Sequence, residues 1–547
     1  EGNLPRFIGI VAAILCSFTY VVAQIYGVGL ITTRLSGLAF EIGIFVGLGG
    51  ILVCSFLGGM RAVTWTQVAQ YIILIVAYMT PVVWLAVKQT GIPIPQAVYG
   101  YQLQKVTERE KQLKVDPKEI EVINIFKARA AEADAKLKDV PAAMAADQAA
   151  AQTKLDDLKA ANGPAADIQA AEKALAGLPK TAEDAKKAYA AAKAANAARA
   201  VPLAGMLPHA QIFAGDPNGD DKAKAAFDTS RRNFLALIFC LMVGTAALPH
   251  ILMRYYTTPS VKEARDSVTW SLFFIFLLYF TAPALAVLVK YEMFSVVVGT
   301  SYSNLPDWIT AWGRVDASLL SVVDINKDGI IQLGEIKIGG DIIVLATPAI
   351  GGLPYVVSGM VAAGGLAAAL STADGLLLTI ANALSHDLYY KMIDPNAPTS
   401  RRVSISKALL VVVALAAAGV AAQKPADILF LVSAAFSFAA ATFFPPLVLG
   451  IFWKRANKWG ASLGMIAGLG TTFYYMATTQ PWLRGVFGVT GPVELWWGIQ
   501  PISAGVFGVP VGIATIIIVS LLTKAPSQAT QELVEHVRYP DLKLGQA

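Results

Sequence analysis

Runs of roughly 20 apolar residues recur along this chain, separated mostly by short polar loops, and this constrains the fold more than any other feature. Coiled as a helix, a run of that length crosses the hydrocarbon core of a bilayer, about 30 Å. Lipid offers a backbone no partners, so each run must satisfy its own N–H and C=O groups, and a helix does so. The runs fall at 7–33, 37–57, 63–87, 234–256, 268–290, 355–385, 405–423, 428–452, 460–478 and 502–523, which predicts ten spanning helices. Only 15% of the 547 residues are charged, where a soluble domain carries about 25%. Cys16, Cys54 and Cys240 all lie inside apolar runs, which argues against a disulfide framework.

The chain divides accordingly. Residues 1–88 hold the first three membrane helices, 89–232 a polar insertion, 233–290 the next two helices, 291–345 a second polar excursion, 346–524 five more helices and 525–547 a tail. Basic residues concentrate in alternate loops: Arg6, Arg61, then Arg254, Lys262 and Arg265, then Lys391, Arg401, Arg402 and Lys407, then Lys454, Arg455 and Lys458, and finally Lys524. Positive loops favour the cytoplasmic side. The expected protein is a multi-pass protein of the plasma (inner) membrane with a cytoplasmic C-terminus and both polar excursions outside. The Arg231–Arg232 pair is the exception to the alternation. The bilayer and a small organic solute are the expected partners, with no nucleic acid.

The stretch 105–200 is rich in Ala, Lys, Glu and Asp, and Ala and Lys favour helix. Pro141, Gly163–Pro164 and Pro179 are expected to break it into three or four helices. Thr181, followed by Glu183 and Asp184, reads as a helix start. Large apolar residues are few, so a core of its own is not expected. A solvated spacer is the reading, with a docking module for an unknown partner as the alternative.

Residues 324–335, DINKDGIIQLGE, fit the twelve-residue calcium loop. Asp324, Asn326 and Asp328 occupy positions 1, 3 and 5, and Gly329 permits the sharp turn. Ile330 offers its carbonyl at position 7, Gln332 sits at position 9, and Glu335 closes the set bidentately. Calcium takes six to eight oxygens, and this spacing wraps them round one point. Ile331, at the position that usually pairs with a second such loop, has no second loop of equal quality to meet. A structural calcium ion is expected.

Residues 362–380, AAGGLAAALSTADGLLLTI, are small and hydroxylated. Small residues suit close helix packing in membranes, but they do not explain Asp374, because an ionisable group at that depth marks a functional site by default. Ser371 and Thr372 follow Ala368 by three and four residues, so the three share a face. Two hydroxyls and a carbonyl are hard oxygen ligands for a small cation. Gln24, Tyr26, Glu41, Gln67, Gln70 and His250 are further polar residues within the runs. His250 follows Pro249, and a proline in mid-helix frees a carbonyl and can break the helix, the arrangement in which transporters bind substrate.

Four stretches together carry a resemblance to the sodium:solute symporter family: TYVVAQIYGVGLI at 19–31, GGMRAVTWTQVAQ at 58–70, GTAALPHILMRYYT at 244–257 and AAALSTADGLLL at 367–378. LPHILMR, and SHDLYY at 385–390, resemble the cation/acetate branch most closely. The resemblance implies an all-α, leucine-transporter-like fold of two inverted five-helix repeats. The first helix here then resembles core helix three, and helices four to eight the second repeat. Core helices one and two are not matched, so the N-terminal helices are expected to be missing from this chain or supplied by another. The resemblance further implies sodium at the Ala368 carbonyl and the Ser371 and Thr372 hydroxyls, with substrate near Gln24, Tyr26 and His250. Many members have Asp where this chain has Gln67, which puts a second sodium in doubt. The expected function is sodium-coupled symport of a small monocarboxylate such as acetate. The alternative is a transporter-like sensor that binds solute without net flux. No metal-binding histidine cluster, nucleophile elbow or phosphate loop suggests an enzyme.

Overall fold

In the computed structural model, which describes residues 2–161, 163–317 and 319–538 and leaves the side chains of 54–63, 256, 257 and 537 undescribed, glycine and proline set many of the helix boundaries. Helix α1 (Asn3–Ser36) stops at Gly37, whose φ of 70° turns the chain and lets its N–H donate to the Thr33 carbonyl at 2.9 Å. Helix α2 (Phe40–Thr90) ends the same way at Gly91. Five helices follow: α3 (Pro95–Val115), α4 (Pro117–Lys138), α5 (Val140–Ala160), α6 (Ala165–Ala176) and α7 (Ala182–Arg199). Next come α8 (Asp221–Thr245), the short α9 (Pro249–Leu252), α10 (Val261–Glu292), α11 (Asp307–Val315) and α12 (Ile343–Ile350). Helix α13 (Tyr355–Asn382) widens into a π-helix over Ala383–Ile393. The chain closes with α14 (Thr399–Ala422), α15 (Ile428–Phe452), α16 (Lys458–Thr479), α17 (Pro481–Val486), α18 (Gly505–Leu522) and α19 (Gln528–Arg538).

The chain forms two units. One comprises Glu1–Gln96, Phe213–Leu285 and Gly340–Ala547, the other Ala97–Ile212 and Ala286–Gly339. Among the described residues, eight helical stretches are long and apolar enough to cross a membrane, and Phe40–Val53 and Gly340–Ile350 are shorter apolar helices. The protein is an all-α, multi-pass membrane protein.

Ten spans were expected, and two places account for the difference from the eight among the described residues. The runs at 37–57 and 63–87 belong to one helix, Phe40–Thr90. The turn expected between them, with Arg61 and the nearby Cys54, falls among residues 54–63, whose side chains lie outside the described residues. The run at 460–478 is helical as α16 but is not one of the eight. It spends positions on Gly464 and Gly468, where backbones touch: a methyl on either would meet a main-chain oxygen, of Gly512 at 3.0 Å or of Ala441 at closer range. Small residues allow such approach where lipid provides no hydrophobic drive between helices.

In the first unit α13 packs against α1, α2 and α14, and α15 against α1, α8, α16 and α18. Cys16, Leu248, Phe438, Tyr475 and Met476 share one buried cluster there. Cys16 and Cys240 are both buried and free.

The second unit combines both polar excursions. Its helices are more numerous than the prolines at 141, 164 and 179 foretold, because Pro117 also starts one: Asp116 caps α4 by accepting from the Lys118 N–H at 2.8 Å. Thr181 caps α7 as expected, accepting from the Asp184 N–H at 3.1 Å. The insertion does bury apolar residues, by sharing a core with the second excursion: Val122, Phe126 and Ala200 cluster with Ile325. A short antiparallel pair, β1 (Leu320–Val322) with β2 (Ile336–Ile338), brackets the acidic loop.

Candidate functional site

The site begins with a break in a helix. Helix α8 ends at Thr245, and residues 246–248 are non-helical before α9 starts at Pro249. Leu248 takes an extended conformation, φ −65° and ψ 123°, because a proline ring crowds the residue before it out of the helical region. The break sets His250 and Arg254 against α2 and α13. There a cavity of about 330 Å³ is lined by Gln67, Gln70, Tyr71, Leu74, His250, Ile251, Arg254, Ser371 and Thr372. Its volume is at the small end of ligand sites, about 300–1,000 Å³. Two buried atoms of these residues, His250 Nδ1 and Gln70 Oε1, have no hydrogen-bond partner, although buried polar atoms are nearly always paired.

A chain of hydrogen bonds crosses this wall. Arg254 Nη1 donates to Gln67 Oε1 at 2.5 Å, and Gln67 Nε2 donates to the Ser371 carbonyl at 2.5 Å. One turn back on α13, the Ala368 carbonyl accepts from the Ser371 hydroxyl at 2.9 Å and from the Thr372 hydroxyl at 3.2 Å. The three oxygens are joined by these two hydrogen bonds, and both hydroxyl residues are half-buried and line the cavity. Asp374 is fully buried and not part of the lining.

The substrate residues expected from sequence separate. His250 joins Ser371 and Thr372 at the cavity, but Gln24 and Tyr26 are not in its lining. Residues two apart point to different sides of a helix, so these two do not form one binding face. Tyr26 is buried against Phe40, ring centroids 5.4 Å apart. The aromatic of α1 that meets His250 is Tyr20, edge to face at 5.7 Å. It lies one turn before Gln24, a signal the sequence carries. Arg254 was legible only as a loop charge; the helix break brings it to the wall.

The acidic loop has much of the geometry its spacing implies. Gly329 adopts φ +74°, and its N–H donates to Asp324 Oδ2 at 3.0 Å. Ile331 is fully buried and pairs by backbone with 299–301, Gly299 N–H to its carbonyl and its N–H to the Thr300 carbonyl, both 2.8 Å. This irregular segment, joined also by the isolated bridge of Ser301 with Ile330, thus occupies the place of the second loop. Asp324 Oδ1 and Gln332 Oε1 are buried without partners. Asp328 lies below the usual carboxylate range: burial raises it, and hydrogen bonds from Ile330 N–H, Asn326, Lys118 and Gln332 outweigh that. Glu335, however, accepts from the Ile325 N–H at 2.6 Å and from Tyr302 at 2.9 Å. Among the described residues no three His, Cys, Asp or Glu side chains form a group that could hold a metal.

The broken helix and its cavity lie in a multi-pass membrane bundle. The model of the sodium:solute symporter family matches residues 1–128 and 337–468. An uncharacterized symporter of Cupriavidus necator is 49% identical over 538 residues, covering 98% of this chain and 77% of that protein. This chain belongs to the sodium:solute symporter family. A monocarboxylic acid transporter of Corynebacterium glutamicum is 30% identical over 247 residues, 44% of this chain and 38% of its own length. A solved Na+-coupled sialic acid symporter, substrate-bound and outward-open, gives a TM-score of 0.48 at 13% identity, covering 96% of this chain and 76% of that one. That likeness is too loose to transfer residue roles.

Proposed function

We propose that this chain carries the sodium and substrate sites of a secondary transporter that moves a small monocarboxylate, such as acetate, with sodium. The observation behind this reading is the joining of Ser371 and Thr372 to His250 and Arg254 in one cavity wall. Sodium bound by the Ala368 carbonyl and the two hydroxyls sits on the same helix face that the substrate meets. Coupling needs only that both ligands favour the same conformation. The family supports sodium as the driving ion, and the Corynebacterium relative supports the monocarboxylate. The loop charges favour a plasma-membrane protein with a cytoplasmic C-terminus and both polar excursions outside.

The test is uptake of labelled acetate by the full chain in proteoliposomes, with and without an inward sodium gradient. Gradient-driven accumulation is expected. Uptake indifferent to sodium removes the coupling, and saturable binding with no accumulation selects a receptor instead.

A structural calcium ion at Asp324, Asn326, Asp328, Ile330, Gln332 and Glu335 is a second part of the reading, supported by the turn at Gly329 and the unpartnered oxygens of Asp324 and Gln332. It requires Glu335 to turn from the loop amides toward the ion. Outside the cell, millimolar affinity suffices. The partner of the 105–200 insertion has no chemistry assigned to it.

A further inference from the structure

The insertion and the acidic loop meet at the first turn of α4, where two adjacent charged residues act on the loop differently. Glu119 is buried and anchors the contact: it accepts from the Leu333 N–H at 2.5 Å, across 214 residues of sequence, and from the Gly334 N–H at 3.2 Å. The approach is close, since a Cβ on Gly334 would stand 2.8 Å from Val122 Cγ1. Arg199 of α7 donates to the Gly334 carbonyl, and to that of Ile336 at 3.2 Å. This anchor delivers the preceding residue, Lys118, to the loop. Its Nζ lies 3.4 Å from Asp328 Oδ2 and 3.4 Å from Glu121 Oε2. Asp328 is the carboxylate at position 5 of the loop. Its Oδ2 also accepts from Gln332 Nε2 at 3.0 Å, and its Oδ1 from the Ile330 N–H at 2.9 Å.

We propose that Lys118 is a counter-cation that the insertion supplies to the acidic loop, and that it sets a low affinity for calcium by competing for Asp328. The inference rests on the calcium reading above and deepens it. Two oxygens point to a ligand at the loop rather than a plain acidic turn: Gln332, only 3% exposed, keeps Oε1 without a partner, and so does the buried Oδ1 of Asp324. Asp328 is the member of that set whose oxygen is shared with an ammonium. A calcium ion taking Asp328 Oδ2 brings two positive charges close to the Lys118 Nζ, and like charges at contact range repel even in water. Lys118 must then swing away. Its side chain is 54% exposed, and a surface ion pair of this kind holds the fold only weakly. Glu119 and Lys118 thus have separate roles: the buried carboxylate fixes the loop to the insertion, and the exposed ammonium decides how much calcium the loop needs. A weakened site of this kind suits the millimolar calcium found outside cells.

The test is a calorimetric titration of the full chain in detergent with calcium, at fixed ionic strength. Lys118→Met removes the charge and keeps an unbranched side chain, and is expected to lower the calcium dissociation constant by about three- to tenfold. Lys118→Arg, which keeps the charge, should bind as wild type does. So should Lys111→Met, which removes an exposed lysine that pairs with Glu108 instead. Damage to the loop would weaken binding, so the sign of the change separates a lost competitor from a lost scaffold. Binding by Lys118→Met with none detectable in wild type also supports the proposal. If Lys118→Met binds calcium no more tightly than wild type, or if Lys111→Met tightens binding as much, the proposal is overturned. If neither wild type nor Lys118→Met binds calcium, the calcium reading itself falls, a result distinct from equal binding by both.

Discussion

Gln67 on α2 donates to the main-chain oxygen of Ser371 on α13 at 2.5 Å, across 304 residues of sequence. This one bond ties the helix that faces the cation Arg254 to the helix that offers two hydroxyls and a carbonyl, and it places the two halves of the proposed coupling within one network.

The hydroxyl pair yields the first prediction. Ser371→Ala with Thr372→Ala removes two of three oxygens and leaves the Ala368 carbonyl alone. Each lost hydrogen-bonding oxygen is worth about 1 kcal/mol, so sodium half-saturation of uptake should rise by about tenfold or more. Uptake measured against sodium concentration, at matched protein abundance, checks this. An unchanged sodium dependence would detach these residues from the ion.

A pair of glycines should respond with opposite sign to one substitution. Gly364 on α13 lies against α2 so closely that a methyl would overlap the Cβ of Ala77, whereas Gly419 on α14 has open space around it. Gly364→Ala is expected to cost about 1–3 kcal/mol through overpacking. Gly419→Ala should be neutral or stabilise by up to about 1 kcal/mol, because alanine has the better helix propensity. Thermal unfolding of the full chain in detergent distinguishes them.

Calcium should stabilise the full chain. At a free concentration about 100 times the dissociation constant, linkage predicts about 2.7 kcal/mol. Calcium at that excess, compared with a chelator, should therefore raise the unfolding temperature. Asp324→Ala and Glu335→Gln should each abolish the difference, while magnesium, which demands a tighter octahedron, should not reproduce it. No calcium-dependent shift in the wild-type protein would remove the ion from this loop.

A pH dependence follows from Asp147 in the insertion. Its carboxylate accepts from Lys136 at 2.9 Å and from Tyr189 at 2.8 Å, joining α4, α5 and α7. Burial pushes its pKa up, but these two donors outweigh that and hold it below the ordinary value. A depressed carboxylate contributes stability that is present above its unfolded value, about 3.9, and lost as pH falls through the folded one. Asp147→Asn should therefore loosen α5 and α7 at pH 7, seen as faster amide exchange in the full chain. Its melting temperature should converge with that of wild type as pH drops below about 4.

Much of this was legible in the chain itself. Apolar runs located the helices because bilayer thickness acts on length and composition alone. Pro249 announced the break before His250 because a proline ring acts on its immediate neighbour. Thr181 announced a helix start for the same local reason. The turn of the acidic loop was readable, down to the positive φ of Gly329, since it is made within twelve positions; Glu335, expected to close the loop on an ion, bonds the Ile325 amide and Tyr302 instead. What failed was longer in range or depended on rotation about an axis. Gln24 and Tyr26 looked like one polar face, yet two residues of helix turn a side chain well away from its partner. The insertion looked too poor in large side chains to bury a core because part of that core, Ile325, belongs to another segment.

The sequence by itself determined that this chain lives in a bilayer as a bundle of helices, which of them break, and where hard oxygens are concentrated, because those properties arise from neighbours within a turn or two. Only the tertiary structure decided that Arg254 leaves the row of loop charges to meet Gln67, that Tyr20 rather than Tyr26 faces His250, and that residues 299 and 300 bond the backbone of Ile331 in the acidic loop. Those outcomes depend on which helix faces pack together, and a packing choice is settled by shape across hundreds of residues rather than by any local pattern.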